Sequence, residues 1–164
     1  MKKYFMFLNY LFYSNRDLGL LIFRLGIGCM FMWHGFPKVF GGEHKWIEIG
    51  QAMGTLGIHF APAFWGLLSG CTELIGGFLF ILGLFYRPTC FLLIGNMSMA
   101  FVSQMLEGKG LLKAAQSVED GFSFIGALFV GPGKYSLDYY LGLVALDDTD
   151  TTILKRHNRV RSLY

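Results

Sequence analysis

The chain has 164 residues, of which 54% are hydrophobic and 15% are charged, with a formal net charge of +3. A soluble domain of this size needs more charged residues to cover its surface, so the composition predicts an integral membrane protein instead. The net charge is small, which gives no support for nucleic-acid binding. The short basic cluster KRHNRVR near the C-terminus is typical of a topology signal.

The first 17 residues form a positively charged, tyrosine-rich segment that precedes the apolar part of the chain. Tyr4, Tyr10 and Tyr13 are typical of the headgroup region of a bilayer, and the segment lacks the small-residue cleavage site of a secretion signal. We therefore expect residues 1–17 to form an interfacial N-terminal segment.

Four apolar runs follow, each about long enough to cross a hydrocarbon core of about 30 Å as a helix. They comprise residues 18–36, 62–85, 88–106 and 114–131. The fourth run is the weakest, because charged residues fall in or beside its first half. The stretch between the first two runs predicts an amphipathic or irregular outer loop. The predicted fold is therefore all-α, a bundle of four transmembrane helices.

The predicted membrane domain occupies residues 18–138, and a charged tail occupies residues 139–164. If the N-terminus lies inside, nine basic residues fall on the cytoplasmic side of the membrane and four on the opposite side. The positive-inside rule therefore predicts that the N-terminus and the C-terminal tail are both cytoplasmic.

Two ionisable residues lie inside the apolar runs, Arg24 in the first and Glu73 in the second. Each costs roughly 2.5–3.5 kcal/mol to place in hydrocarbon, so each is expected to have a partner, a cavity or a role. The residues that share a helical face with Glu73 let a second helix approach closely, which predicts that Glu73 points into the bundle. These residues are all small: Gly66, Ser69, Gly70, Gly76 and Gly77.

Arg24, Glu73, Asn96 and His34 are the candidate polar residues of the bundle interior. In one interpretation, Arg24 and Glu73 form a buried ion pair that fixes the register of two helices. In the other, the four residues line a cavity for a polar ligand or a proton path. Helical rise separates Arg24 from Glu73 by roughly 9 Å along the membrane normal, which leaves their direct pairing open.

His34 lies beside Trp33 where the first apolar run ends. An imidazole at this level can hydrogen-bond a quinone carbonyl, or it can cap the helix at the membrane interface. None of the four histidines shows metal-ligand spacing to another, so no metal site is predicted.

Three motifs occur in an order that resembles the DoxX family. Arg24 in the first apolar run is followed by His34, Gly35 and Lys38 at its end. The segment from Glu73 to Arg87 resembles the family's second motif. Its matching positions include the glycine pair Gly76 and Gly77. The sequence GPGKYSLD resembles the closing motif of the family, with matching positions at Gly131, Pro132, Gly133, Ser136 and Asp138.

The resemblance covers about residues 17–138 and implies a small four-helix protein of the prokaryotic cytoplasmic (inner) membrane. The family is named for a subunit associated with quinone-linked thiosulfate oxidation. By this resemblance, the chain is a quinone-side or anchoring subunit of a redox complex, without an intrinsic cofactor but with a bound quinone. The alternative is a non-redox membrane protein that acts as a small-molecule conduit or as an assembly subunit. The expected partners are the lipid bilayer and either another membrane or redox protein or further copies of the chain, not nucleic acid.

Overall fold

The computed structural model describes residues 2–108 and 110–144, and within these residues the regular structure is helical. Most of the predicted C-terminal tail lies outside the described residues. The α-helices, in chain order, are α1 (Lys2–Ser14), α2 (Arg16–Phe40), α3 (Gly42–Gly50), α4 (Pro62–Leu82), α5 (Tyr86–Leu106), α6 (Leu111–Val130) and α7 (Leu137–Tyr140). A 3₁₀ helix over Gln51–Leu56 follows α3 directly.

Within the described residues, three helices are long and apolar enough to cross a membrane: α2, α4 and α5. The prediction of an all-helical membrane protein is confirmed, whereas four apolar spans are not. Helix α6 is 20 residues long, but Lys113, Glu119 and Asp120 reduce its apolar character. By length and composition, α6 does not qualify as a span.

Helices α2 and α4 pack antiparallel with their backbones in close contact. A Cβ atom added to Gly28 would lie 2.7 Å from the carbonyl oxygen of Gly77, and one added to Gly35 would lie 2.4 Å from the backbone nitrogen of Leu74. Contacts this close are possible only without side chains, so the predicted small-residue face of α4 is a helix–helix interface.

The interior of the bundle is built from aromatic side chains contributed by α2, α4, α5 and α6. Phe80 stacks on Tyr86 with ring centroids 4.9 Å apart, and it meets Phe124 edge-on at 5.2 Å. Phe31 meets the same Phe124 at 4.8 Å. On the outside, large apolar residues remain exposed, such as Trp33 (76%) and Phe129 (80%). An apolar exterior of this kind suits a surface that faces hydrocarbon rather than water.

The connection between α2 and α4 is helical and folds back onto α4. The indole nitrogen of Trp46 in α3 donates to the carbonyl oxygens of Lys38 (3.0 Å) and Val39 (3.1 Å) at the end of α2. A Cβ on Gly66 of α4 would lie 1.8 Å from the carbonyl oxygen of Trp46, so α3 and α4 are also in backbone contact. The predicted outer loop thus forms a wall beside the bundle.

Candidate functional site

Lys38 and Glu73 form an ion pair between α2 and α4. Because α2 continues to Phe40, it carries Lys38 to the level of Glu73, where Nζ lies 2.5 Å from Oε1. The Glu73 side chain is 3% exposed and the Lys38 side chain is 30% exposed. The buried carboxylate therefore has a cationic partner, which reaches it from a more open position and makes a strong charge-assisted hydrogen bond.

Asn96 on α5 extends the pair into a network that joins three helices. Its side-chain nitrogen donates to Glu73 Oε1 at 3.0 Å, and its side-chain oxygen accepts from Ser69 Oγ at 2.8 Å. Both donors to Glu73 act on Oε1, whereas Oε2 is buried without a hydrogen-bond partner among the described residues. A buried acceptor left in this state costs about 1–3 kcal/mol.

The network lies on the wall of a larger cavity of about 770 Å³, bounded by the end of α3, the 3₁₀ helix, α4 and α5. This volume lies within the range of sites that hold small molecules. The indole nitrogen of Trp65, another lining residue, is also buried and has no hydrogen-bond partner in the described part of the chain. The polar lining includes Lys38, Glu48, Ser69, Glu73, Asn96, Ser103, Gln104 and Glu107, and the apolar lining includes Met53, Leu68, Leu92 and Met99.

A smaller cavity of about 160 Å³ also contacts Lys38 and Glu73. It lies between α2, α5 and α6, and its lining includes His34 and Asp120. The two cavities share four lining residues: Lys38, Glu73, Ala100 and Gln104. The ion pair therefore contacts both cavities.

The structure brings three of the four predicted interior residues to this region. Glu73 and Asn96 are hydrogen-bonded to each other, and His34 lines the smaller cavity. Arg24 lies elsewhere, because it is fourteen residues from Lys38 on the same helix, about 21 Å along the axis. The register of α2 against α4 thus pairs Glu73 with Lys38 rather than with Arg24.

Arg24 instead holds the C-terminal motif at the opposite end of the bundle. It is 0% exposed, and Nη2 donates to the carbonyl oxygen of Tyr135. A Cβ on Gly83 would fall 2.0 Å from Arg24 Nη1 and 2.5 Å from Ser136 Cβ. Gly83 is therefore required at this contact, both for its positive φ of 63° and for the space it leaves. Arg24 acts here as a structural link between α2 and the segment after α6.

Asp138 caps the start of α5. Its two carboxylate oxygens accept from the backbone nitrogens of Phe85 and Tyr86, each at 2.8 Å. Its own backbone nitrogen donates to the carbonyl oxygen of Gly83 at 2.9 Å. A carboxylate at a helix N-terminus satisfies free N–H groups and complements the helix dipole. This position of the resembled motif therefore has a structural role.

The motif positions that follow α4 lie at the same end of the bundle. Ser136 Oγ accepts from the backbone nitrogen of Tyr139 at 3.2 Å and so begins α7. Gly131 and Gly133 have φ angles of 81° and 76°, and Pro132 between them is buried. Arg87 Nε donates to the carbonyl oxygen of Leu128 at 3.5 Å. Of the resembled glycines on α4, Gly76 faces Leu93 and Gly77 faces α2.

The sequence motif predicts Lys38 only as a family position, and its pairing with Glu73 is seen only in the structure. The available signal was its spacing, since Lys38 follows His34 by one helical turn and shares its face. Gln104 and Asp120 were also not identified as lining residues. Among the described residues, no three His, Cys, Asp or Glu side chains are grouped as metal ligands would be.

Comparison with known proteins identifies a family but no individual relative. A family model described as DoxX matches residues 19–105, more than half of the chain. The match includes the ion pair, Asn96, the whole of α4 and all but the last residue of α5, but ends before α6. No curated protein and no solved structure gives a match.

Proposed function

The chain belongs to the DoxX family, and on this premise we propose that it is a membrane subunit of a redox complex with a quinone site in the larger cavity. It takes no electrons from a cofactor of its own. A cofactor-bearing partner protein delivers or accepts the electrons, and this chain contributes the ligand site and the membrane anchor.

The observation that carries the proposal is the Lys38–Glu73–Asn96 network on the wall of the 770 Å³ cavity. A quinone headgroup needs hydrogen-bond donors for its carbonyl oxygens and, on two-electron reduction, takes up two protons. Lys38 and Asn96 each keep further N–H groups after bonding to Glu73, and Glu73 is a carboxylate that can exchange a proton. The apolar lining of the same cavity suits an isoprenoid or alkyl tail.

The proposed setting is the prokaryotic cytoplasmic membrane, with both termini in the cytoplasm. The excess of basic residues on that side supports this orientation. We also propose that α6 crosses the membrane as a fourth span despite its charges. Lys113 lies in the first turn of α6, close to the interface, and Asp120 lines the smaller cavity rather than facing hydrocarbon.

The quinone site can be tested by filling the larger cavity. Gly95 lines it, and a Cβ there meets no atom within 4 Å, so Gly95→Phe places a ring in the cavity without a backbone clash. The wild-type protein and the variant are purified in mild detergent, and bound quinone and co-purifying proteins are identified by mass spectrometry. We expect quinone and a redox protein with the wild type, and at least a fivefold loss of quinone with Gly95→Phe.

The matched control is Gly126→Phe on α6, which also adds a ring in open space but lies outside both cavities. It should retain quinone as the wild type does. If neither quinone nor a redox protein accompanies the wild type, the redox proposal fails.

A second candidate function rests on the position of the ion pair between two cavities. A small-molecule or proton conduit needs polar groups that can be reached from two directions, and Lys38 and Glu73 contact both cavities. Purified protein in liposomes with an internal pH-sensitive dye distinguishes this function. Proton flux that Glu73→Gln abolishes, in the absence of any quinone, would favour the conduit.

A further inference from the structure

Glu73 has one oxygen in use and one without a partner. Oε1 accepts from Lys38 Nζ at 2.5 Å and from Asn96 at 3.0 Å, whereas Oε2 is buried and accepts from no described residue. We infer that the larger cavity selects a quinol over the corresponding quinone, and that a quinol hydroxyl donates to Glu73 Oε2. This inference rests on the proposed function and adds the redox form that the site prefers.

The two forms of the ligand differ in hydrogen-bonding capacity. A quinone oxygen is a carbonyl and can only accept, whereas a quinol oxygen is a hydroxyl and can both accept and donate. Lys38 offers a donor beside the Glu73 carboxylate, because its Nζ lies 2.5 Å from Oε1 and carries three N–H bonds. A hydroxyl placed between them accepts from Lys38 and donates to Oε2. A carbonyl placed there accepts from Lys38 but sets its own lone pairs against the carboxylate.

The wider charge of the cavity acts in the same direction. Glu48 and Glu107 line it together with Glu73, and Lys38 is the basic residue among its described lining. Glu48 is paired with Lys45 at 3.0 Å, which leaves three carboxylates against two lysines. An excess of carboxylates favours a ligand that presents hydrogen rather than lone pairs to the wall. The terminal torsion of a glutamate is soft, so a small rotation brings Oε2 to the cavity surface when a ligand arrives.

The test compares ligand pairs that differ in whether their oxygen atoms carry hydrogen. A tail-less, water-soluble benzoquinone and its quinol are titrated under argon into the purified, detergent-solubilised full chain, and affinities are measured by calorimetry. We expect the quinol to bind at least tenfold more tightly. A second pair, 4-propylphenol and 4-propylanisole, removes redox chemistry from the comparison, and the phenol should bind more tightly by a similar factor.

Glu73→Gln assigns the preference to the carboxylate. A glutamine that keeps its carbonyl oxygen toward Lys38 presents its amide N–H₂ group to the cavity, so the tenfold preference for the quinol should disappear or reverse. The matched control is Glu43→Gln, which neutralises an exposed glutamate on α3 that lines neither cavity, and it should leave the preference unchanged.

Each outcome decides between the two levels of the proposal. If the quinone binds as tightly as the quinol or more tightly, the inference about redox form is wrong while the quinone site stands. If all four ligands fail to bind the wild type, the quinone site and the inference built on it both fail. The phenol and anisole pair applies even if Glu73→Gln does not fold.

Discussion

Lys38 makes the buried glutamate tolerable in this fold. An unpaired carboxylate in a dry interior is strongly unfavourable, and replacing a whole ion pair by apolar residues is often neutral or stabilising. The pair therefore does not need to add net stability to be important. What it provides is a charged, hydrogen-bonded group beside a cavity, which an apolar pair at the same positions would lack.

Lys38→Met should destabilise the protein by about 3 kcal/mol, at the low end for breaking a buried pair because the Lys38 side chain is 30% exposed. The double variant Lys38→Met with Glu73→Met should lose less than Lys38→Met alone, because it leaves no unpaired charge. A double-mutant cycle of unfolding free energies in detergent measures the coupling.

The control for this cycle is Lys45→Met, which removes an exposed lysine paired with Glu48 at 3.0 Å. Those two side chains are 45% and 58% exposed, so the loss should stay below about 1 kcal/mol. A double variant that is as unstable as the sum of its singles would show that Lys38 and Glu73 are not coupled.

The polar site was predictable in part, and its limits have a physical cause. Glu73 and Asn96 could be placed in the interior because helical periodicity puts them among small or polar residues. Their partner could not be chosen in the same way, because periodicity fixes faces and leaves the register between two helices undetermined. Lys38 also lay beyond the predicted end of the first run at residue 36, whereas α2 continues through Pro37 to Phe40.

At the scale of elements, the contact between α2 and α4 depends on glycine. Gly28 and Gly35 on α2 each face the backbone of α4, and the chain has no room there for a Cβ atom. This contact sets the register that brings Lys38 to Glu73. A change at the interface should therefore disturb the polar site even though the glycines do not line it.

Gly35→Ala should weaken this interface, because the added Cβ would lie 2.4 Å from the backbone nitrogen of Leu74 and 3.0 Å from the backbone carbon of Glu73. We expect a loss of about 1–3 kcal/mol from overpacking, together with weaker ligand binding. Unfolding in detergent and calorimetric titration give the two readouts.

Gly26→Ala is the matched control on the same helix, since a Cβ at Gly26 meets nothing within 4 Å. Alanine is the better helix former by about 1 kcal/mol, so this variant should be at least as stable as the wild type. Equal losses for both substitutions would contradict the prediction, because neither helix propensity nor contact with α4 accounts for a loss at Gly26.

Helix existence was the most predictable feature of the chain. The apolar runs at 62–85 and 88–106 correspond to α4 at Pro62–Leu82 and α5 at Tyr86–Leu106, because bilayer thickness and backbone hydrogen bonding leave few alternatives. The long-range hydrogen bonds at the end of the bundle opposite the ion pair were not predictable. Asp138 caps α5 across 53 residues of sequence, and Arg24 reaches Tyr135 across 111. Local pattern carries no information about such distant pairs.

At the scale of the whole molecule, the hydrogen bonds of α6 indicate how much of the length of α5 it packs against. Near its start, Ser117 accepts from Gln104 at 3.0 Å, close to the end of α5. Near its finish, the carbonyl oxygen of Leu128 accepts from Arg87 at 3.5 Å, at the beginning of α5. Helix α6 thus runs antiparallel along nearly the full length of α5, which supports the proposal that it crosses the same membrane.

Reporter fusions test this topology directly. A helix that returns along α5 brings the C-terminal motif to the end of the bundle where α2 begins, and Lys134 there donates its backbone N–H to Asp17 at 3.1 Å. With four crossings, green fluorescent protein fused to either terminus should fluoresce, because it folds only in the cytoplasm. Alkaline phosphatase fused after Gly57 or after Gly108, which precede α4 and α6, should be active outside. A C-terminal reporter on the side opposite the N-terminal one would mean an odd number of crossings, and α6 would then have to pack against α5 without spanning the bilayer.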